Sequence, residues 1–278
     1  MYYLPIVGTA VSNLIELGNI SPYILTLADN IGENHYTRFY QQHKLIIVDN
    51  MIYEKEKAVD IDVLIEKAKL VNATEIIAPD VLYDGEATVN TTTRFIDCLS
   101  KQELSRFDIQ AVIQGKNLAD VLNCTLRLYK IPEITTLGFS CLAIPHVMCS
   151  ITNTDDVMTN RVMFINWLAA SGVLNGIAFE DLKQYHLLGL GNNVAELTYM
   201  KRMFRSCDSS LPFVMAQYGV PLVEGLGDYS IKERHHNMEN SLNESQLQLA
   251  KQNIELCIKL AEVNYEVGKN IDSGTRIP

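Results

Sequence analysis

Positive charge is scarce in this chain. Its 23 lysines and arginines stand against 33 aspartates and glutamates, a formal net charge of −10, with an isoelectric point near 5.1. Broad electrostatic binding of nucleic acid needs a basic face, so a polynucleotide would have to be held by a local patch. Two small clusters are candidates: Lys201, Arg202 and Arg205, and Lys232, Arg234, His235 and His236. Clusters of that size also read as solvated surface. Long apolar runs are missing too. No stretch of about 18 apolar residues is present to span a bilayer, and Met1-Tyr2-Tyr3-Leu4-Pro5 has no basic region of a signal peptide. The expected location is cytoplasmic, without membrane association. No CxxC pair or Cys/His spacing suggests zinc. The six cysteines, Cys98, Cys124, Cys141, Cys149, Cys207 and Cys257, are scattered and read as free thiols in a reducing compartment. Asn-x-Ser/Thr sequons at Asn90, Asn123 and Asn243 therefore carry little weight. No G-x-G-x-x-G follows the first apolar run, and Gly189-Leu190-Gly191 lacks the third glycine. A dinucleotide-binding open sheet is thereby disfavoured.

What is present is an ordinary globular composition, 47% apolar and 20% charged over 278 residues, enough for one barrel-sized domain. Apolar runs at Tyr2 to Gly8 and Tyr23 to Ala28 fit buried strands or short buried helices. Leu45-Ile46-Ile47-Val48, closed by Asp49, is the mark of a strand covered on both faces. The period then changes: Ile61, Leu64, Ile65 and Ala68 make a helical stripe behind Asp60, a candidate cap. Glu75 to Asp80 is a strand ending on a carboxylate, with Pro79 at its end. Glu86 to Leu104 predicts a helix, Asp108 to Gln114 a strand, and Asn117 to Tyr129 a helix with Leu118, Val121, Leu122 and Leu126 on one face. Strands at Thr135 to Gly138 and His186 to Gly189 flank a helix over Asp155 to Ala170 that holds Trp167. After a helix at Val194 to Met203, a last strand from Met203 to Cys207 runs into Asp208.

Eight strands alternating with helices predict an α/β fold, a (β/α)8 barrel over about 1–220. The remainder, 221–278, forms a C-terminal extension of the same single domain: a polar segment from Ser230 to Leu242 precedes a helix with Leu247, Ala250, Ile254, Cys257, Ala261 and Tyr265 at helical spacing. Asn243 and Gln246 are placed there as an imperfect capping box. The tail from Lys269 to Pro278 is expected to fray. In a barrel the carboxyl ends of the strands share one mouth, where catalytic residues gather. Asp49, Asp80, Gln114, Gly138, Gly189 and Asp208 all fall there. Crowded carboxylates hold one another protonated, which suits a general acid, and two of them flanking a sugar carbon can run a glycosyl exchange with retention. Singly, each aspartate also reads as a cap or turn residue, Asp208 before Ser209-Ser210 above all.

Five segments in order decide between these readings. Asp49-Asn50-Met51-Ile52-Tyr53 resembles the Asp-Ser-Gly-Gly-aromatic motif of the tRNA-guanine transglycosylases. Ala78-Pro79-Asp80 resembles their base-reading aspartate, and Val112-Ile113-Gln114-Gly115 their Val-Gln-Gly. His186-Leu187-Leu188-Gly189-Leu190-Gly191 is similar to Tyr-Leu-Met-Gly-Val-Gly, and Cys207-Asp208-Ser209-Ser210-Leu211-Pro212 to the segment bearing the nucleophile. The resemblance implies a pentosyltransferase. Asp208 would attack C1′ and Asp49 would protonate the departing guanine. Asp80 and Gln114 would read the base edge, backbone near Gly138 and Phe139 would add contacts beside Gly189, and Tyr53 and Leu188 would sandwich the ring.

Two departures narrow the expectation. Met51-Ile52 replaces Gly-Gly and adds bulk beside the pocket, and the family's C-terminal CxCxxC and His zinc site is absent, with Cys257 alone in its helix. Neither metal nor cofactor is therefore expected. The chain looks most like the short, zinc-less members of phages and bacteria that place a 7-deazaguanine such as preQ0 into DNA, which for a phage protein means the host cytoplasm. The implied partners are DNA and the free 7-deazaguanine base. Exchange in tRNA, and a non-catalytic barrel that binds base or nucleic acid, are the alternatives.

Overall fold

Strands and helices alternate around a ring. The computed structural model describes residues 1–32, 34–171, 183–225 and 238–262. Its strands are β1 (Tyr2–Pro5), β2 (Tyr23–Leu27), β3 (Leu45–Asp49), β4 (Glu75–Ile77), β5 (Asp108–Ile113), β6 (Ile134–Ser140), β7 (Gln184–Leu188) and β8 (Ser206–Ser209). The helices are α1 (Val11–Leu17), α2 (Asn34–Tyr40), α3 (Ile52–Lys55), α4 (Ile61–Leu70), α5 (Gly85–Cys98), α6 (Lys101–Arg106), α7 (Leu118–Tyr129), α8 (Ala143–Thr152), α9 (Val157–Ala170), α10 (Ala195–Met200), α11 (Leu211–Gln217) and α12 (Glu244–Ala261). Hydrogen-bonded strands follow the order β1-β8-β7-β6-β5-β4-β3-β2, every pair parallel. At the β1/β2 seam the Ser21 hydroxyl donates to the Tyr3 carbonyl at 3.0 Å, and the Tyr2 and Tyr23 rings meet with centroids 4.4 Å apart. The sheet is a nearly closed (β/α)8 barrel of the TIM type.

Local sequence explains most elements. Ile46, Ile47 and Val48 of β3 are buried on both faces, and Leu64, Ile65 and Ala68 turn α4 onto the strands. Asp60 precedes α4 as its N-cap residue, but its side chain makes no capping bond. The helix expected from Glu86 to Leu104 is two helices. The first ends at Cys98 with Leu99 as its C-cap, and Ser100 starts α6 through a complete capping box with Glu103, a local signal stronger than the helical propensity around it. On α7 the buried face is Val121, Cys124, Thr125 and Leu128, and Leu126 is 41% exposed. A threonine can take the inner face because its hydroxyl donates back to the Val121 carbonyl at 2.7 Å. The Asn243–Gln246 capping box of α12 is complete, and that helix packs on α10, α11, α1 and β1.

Inward positions of the barrel divide into two arcs. Leu4, Leu25, Ile47, Ile77 and Val112 form an apolar arc. Gln110, Thr136, His186 and Ser206, all fully buried, continue the same alternation as a polar arc. No helix among the described residues is long and apolar enough to cross a membrane. Lys232, Arg234, His235, His236, Tyr265 and the segment from Lys269 to Pro278 lie outside the described residues.

Candidate active site at the carboxyl end of the barrel

Asp208 lies inside β8 rather than beyond it. Met203 and Phe204, expected to open the strand, instead close the turn after α10, both amides bonding to the Met200 carbonyl. Nor does Asp208 cap α11. Ser210 occupies that position, and the Leu211 amide is taken by the Ser209 hydroxyl. Alternation sends Cys207 outward, fully buried, with its thiol pushed well up by burial, and sends Asp208 inward to the mouth. There Oδ1 accepts the Gly189 N–H at 3.0 Å and lies 2.8 Å from His186 Nε2. Among the described residues no donor engages Oδ2, so one oxygen is held and the other is available.

Asp49 closes β3 on the same rim. Its Oδ1 accepts the Met51 N–H at 2.6 Å. Burial raises this carboxyl well above the usual range, the charge of Glu54 adds most to that, and Asp208 and Asp80 contribute in the same direction. Glu54, on α3, is exposed at the rim, and partial desolvation of its carboxyl and the charge of Asp208 raise it. It is a carboxylate of the mouth that the sequence reading passed over. Met51 has φ 65°, a left-handed conformation that favours glycine. Its side chain does not crowd the mouth as expected. It is 6% exposed, packs in the shell between strands and helices, and sets its sulfur 3.3 Å from the Asp29 amide.

Asp80 follows β4 and is almost fully buried. Asn50 Nδ2 donates to its Oδ1 at 2.7 Å and Gln114 Nε2 to its Oδ2 at 2.6 Å. Gln114 Oε1 in turn accepts the Tyr83 N–H at 3.1 Å, which fixes the amide's orientation. Burial outweighs these donors and pushes Asp80 up to about 6. The structure thus brings Asp49, Asp80, Gln114, Gly189 and Asp208 together, with Asn50 and His186 as polar partners.

A buried ion pair sets the neighbouring backbone. Arg161 of α9 and Glu196 of α10 are both fully buried and joined by two bonds of 2.7 and 2.5 Å. The guanidinium also donates to the carbonyls of Phe139, Leu188 and Gly189, and Glu196 accepts the Gly191 N–H. This pair ties the ends of β6 and β7 and so places the Gly189 N–H that holds Asp208. Its one sequence signal was a lone arginine inside an apolar helix. No family model matches this chain, and no curated protein matches its sequence.

The remaining predicted residues are placed differently. Phe139 points outward among Phe164, Tyr185 and Phe204, and its carbonyl is committed to Arg161. Gly138 faces inward, where a Cβ would meet Gln110 Nε2 at 2.9 Å. Leu188 packs on the apolar arc, and Tyr53 on α3 is 65% exposed. Lys201, Arg202 and Arg205 do not belong to the mouth. They precede β8 and lie at the opposite end of the barrel, the floor, where Arg205 pairs with Glu75 at 2.6 Å. Strand direction decides this, since charges before a parallel strand and carboxylates at its end are separated by its length. Among the described residues no group of three or more His, Cys, Asp or Glu is arranged to hold a metal ion.

Proposed function

We propose that this barrel is a base-exchange glycosyltransferase that replaces guanine with a 7-deazaguanine base in DNA through a covalent glycosyl-aspartate. The observation that carries the reading is the contrast between two carboxyls on one rim. Asp208 is held by one oxygen with the other available, and Asp49 is driven toward its protonated form. A nucleophile and a general acid need that division of roles.

In the first half-reaction Asp208 Oδ2 bonds to C1′ as the C1′–N9 bond breaks. The bonding pair leaves with guanine, and Asp49 supplies the proton. In the second half-reaction Asp49, now a carboxylate, takes the proton from the incoming base nitrogen. That nitrogen attacks C1′ and frees Asp208. Asp80 and Gln114, held against each other, are suited to reading the amide edge of a purine-like ring, and exposed Tyr53 offers it a stacking face. A base within a duplex must leave the stack to reach such a mouth.

Release of labelled guanine from DNA and from tRNA, with and without added 7-deazaguanine, tests the reading. Exchange into DNA that depends on the added base is expected. Asp208→Asn should reduce it at least about a thousandfold, and Asp49→Asn by about a hundredfold or more. Full activity in Asp208→Asn would remove the assigned nucleophile, and retention of label by tRNA alone would move the substrate to RNA. Binding of the free base without any adduct on Asp208 in mass spectrometry would make the barrel a binding module.

A further inference from the structure

We propose that Ser206 and Arg205 are positioning residues that fix the tautomer of His186, and through it the orientation of Asp208, along a hydrogen-bonded line from the floor of the barrel to its mouth. The proposal rests on the reading of Asp208 as nucleophile. The line begins at Arg205, whose guanidinium can only donate. Its Nη2 donates to Glu75 Oε2 at 2.6 Å, its Nη1 to Gln184 Oε1 at 2.5 Å, and its Nε to Ser206 Oγ at 3.2 Å. The last of these bonds occupies a lone pair of the Ser206 hydroxyl.

Ser206 is fully buried, and leaving a buried O–H without an acceptor is costly when one lies within reach. Among the described residues its other side-chain contact is His186 Nδ1, 2.7 Å away. Nδ1 therefore accepts the Ser206 proton, and the ring carries its hydrogen on Nε2, 2.8 Å from Asp208 Oδ1. A hydrogen on Nδ1 would point two donors at Oγ and leave the serine O–H without an acceptor beside a cation. Gly138, which pairs with His186 on β6, and the inward-facing Thr136 and Gln110 beyond it are uncharged, so the charges at either end of the line are Asp208 and the Arg205–Glu75 pair. With Nε2–H and the Gly189 N–H both on Oδ1, the carboxylate plane is set and Oδ2 becomes the attacking atom. A catalytic histidine's tautomer is commonly fixed in this way, by the bond its other nitrogen makes.

Nitrogen NMR of the full chain labelled with 15N-histidine, at about pH 8, tests the line directly. The His186 signals, assigned by their loss in His186→Gln, should show the neutral Nε2–H form. In Ser206→Ala that form should give way to a mixture of tautomers. kcat for base exchange should fall roughly tenfold to a hundredfold, the worth of one charge-assisted hydrogen bond, with KM changed by less than about twofold. An Nδ1–H or doubly protonated ring in the wild type overturns the proposal, as does a Ser206→Ala protein that keeps both tautomer and kcat. If Ser206→Ala does not fold, the wild-type spectrum decides alone. A spectrum as expected together with full exchange in Asp208→Asn would overturn the reading of Asp208 as nucleophile and leave the tautomer assignment standing.

Discussion

Burial and two amide donors pull Asp80 in opposite directions, and burial prevails. Its folded value of about 6 lies above the ordinary 3.8, so the folded chain holds a proton that the unfolded chain has released. The contribution to stability is present at low pH and is lost as pH rises through about 6, and the ionised group costs up to about 3 kcal/mol above that. Between about pH 7.5 and about pH 5 the wild type should gain about 1 kcal/mol relative to Asp80→Asn, which cannot titrate. Urea denaturation of both proteins at several pH values measures it, and parallel pH curves would contradict the assignment. Asp49 moves in the same direction. A carboxyl raised in this way suits a proton donor, so on the proposed base-exchange reading base release should decline as pH rises, and Asp49→Asn should lack that decline.

At the scale of elements, the Arg161–Glu196 pair clamps α9 and α10 to the ends of β6 and β7. Glu196→Gln leaves a guanidinium uncompensated in a fully buried site and should destabilise the fold by about 3–5 kcal/mol in chemical denaturation. Replacing both partners, as in Arg161→Met with Glu196→Leu, should recover much of that loss, because two desolvation penalties vanish together. Exchange activity should not recover with it, because the Phe139, Leu188 and Gly189 carbonyls and the Gly191 N–H would still have lost their partners. A double variant restored in both stability and exchange would deny the pair its role in setting the Gly189 backbone.

For the whole molecule, charge and strand direction decide how a polyanion can approach. The mouth is lined by Asp49, Glu54, Asp80 and Asp208, within a chain of net charge −10. Lys201 and Arg202 lie at the floor. On the mouth side the described exposed cations include Lys57 and Lys116, on the loops that follow β3 and β5. Binding of labelled DNA followed by anisotropy should therefore weaken in Lys116→Ala, with a salt slope shallower by about 1, and stay unchanged in Lys201→Ala and Arg202→Ala. The reverse pattern would put the nucleic acid at the floor.

The sequence by itself determined the eight strands and the longer helices between them, but not the helices at Val11–Leu17, Asn34–Tyr40, Ile52–Lys55 and Ala143–Thr152. Runs rich in β-branched residues, such as Leu45 to Val48, favour covered strands, helical stripes such as Leu64-Ile65-Ala68 need one packing face, and both signals are local. It also placed Asp49, Asp80, Gln114 and Asp208 near strand ends, which in a parallel barrel share one mouth. Only the tertiary structure decided what each of them touches. His186 and Asp208 are 22 residues apart in sequence, and Arg205 and Glu75 are 130; no periodicity links such pairs, and the pairing of β7 with β8 joins the first while the curl of the sheet joins the second. The same packing puts Arg205 at the base of the polar line that ends on Asp208. Met51 shows the opposite case, where a bulky residue in a glycine-like turn is accommodated because the backbone turns its side chain into the core. Whether a charged or bulky side chain faces solvent, substrate or a partner depends on what the fold sets beside it, and that is fixed only when distant strands pair.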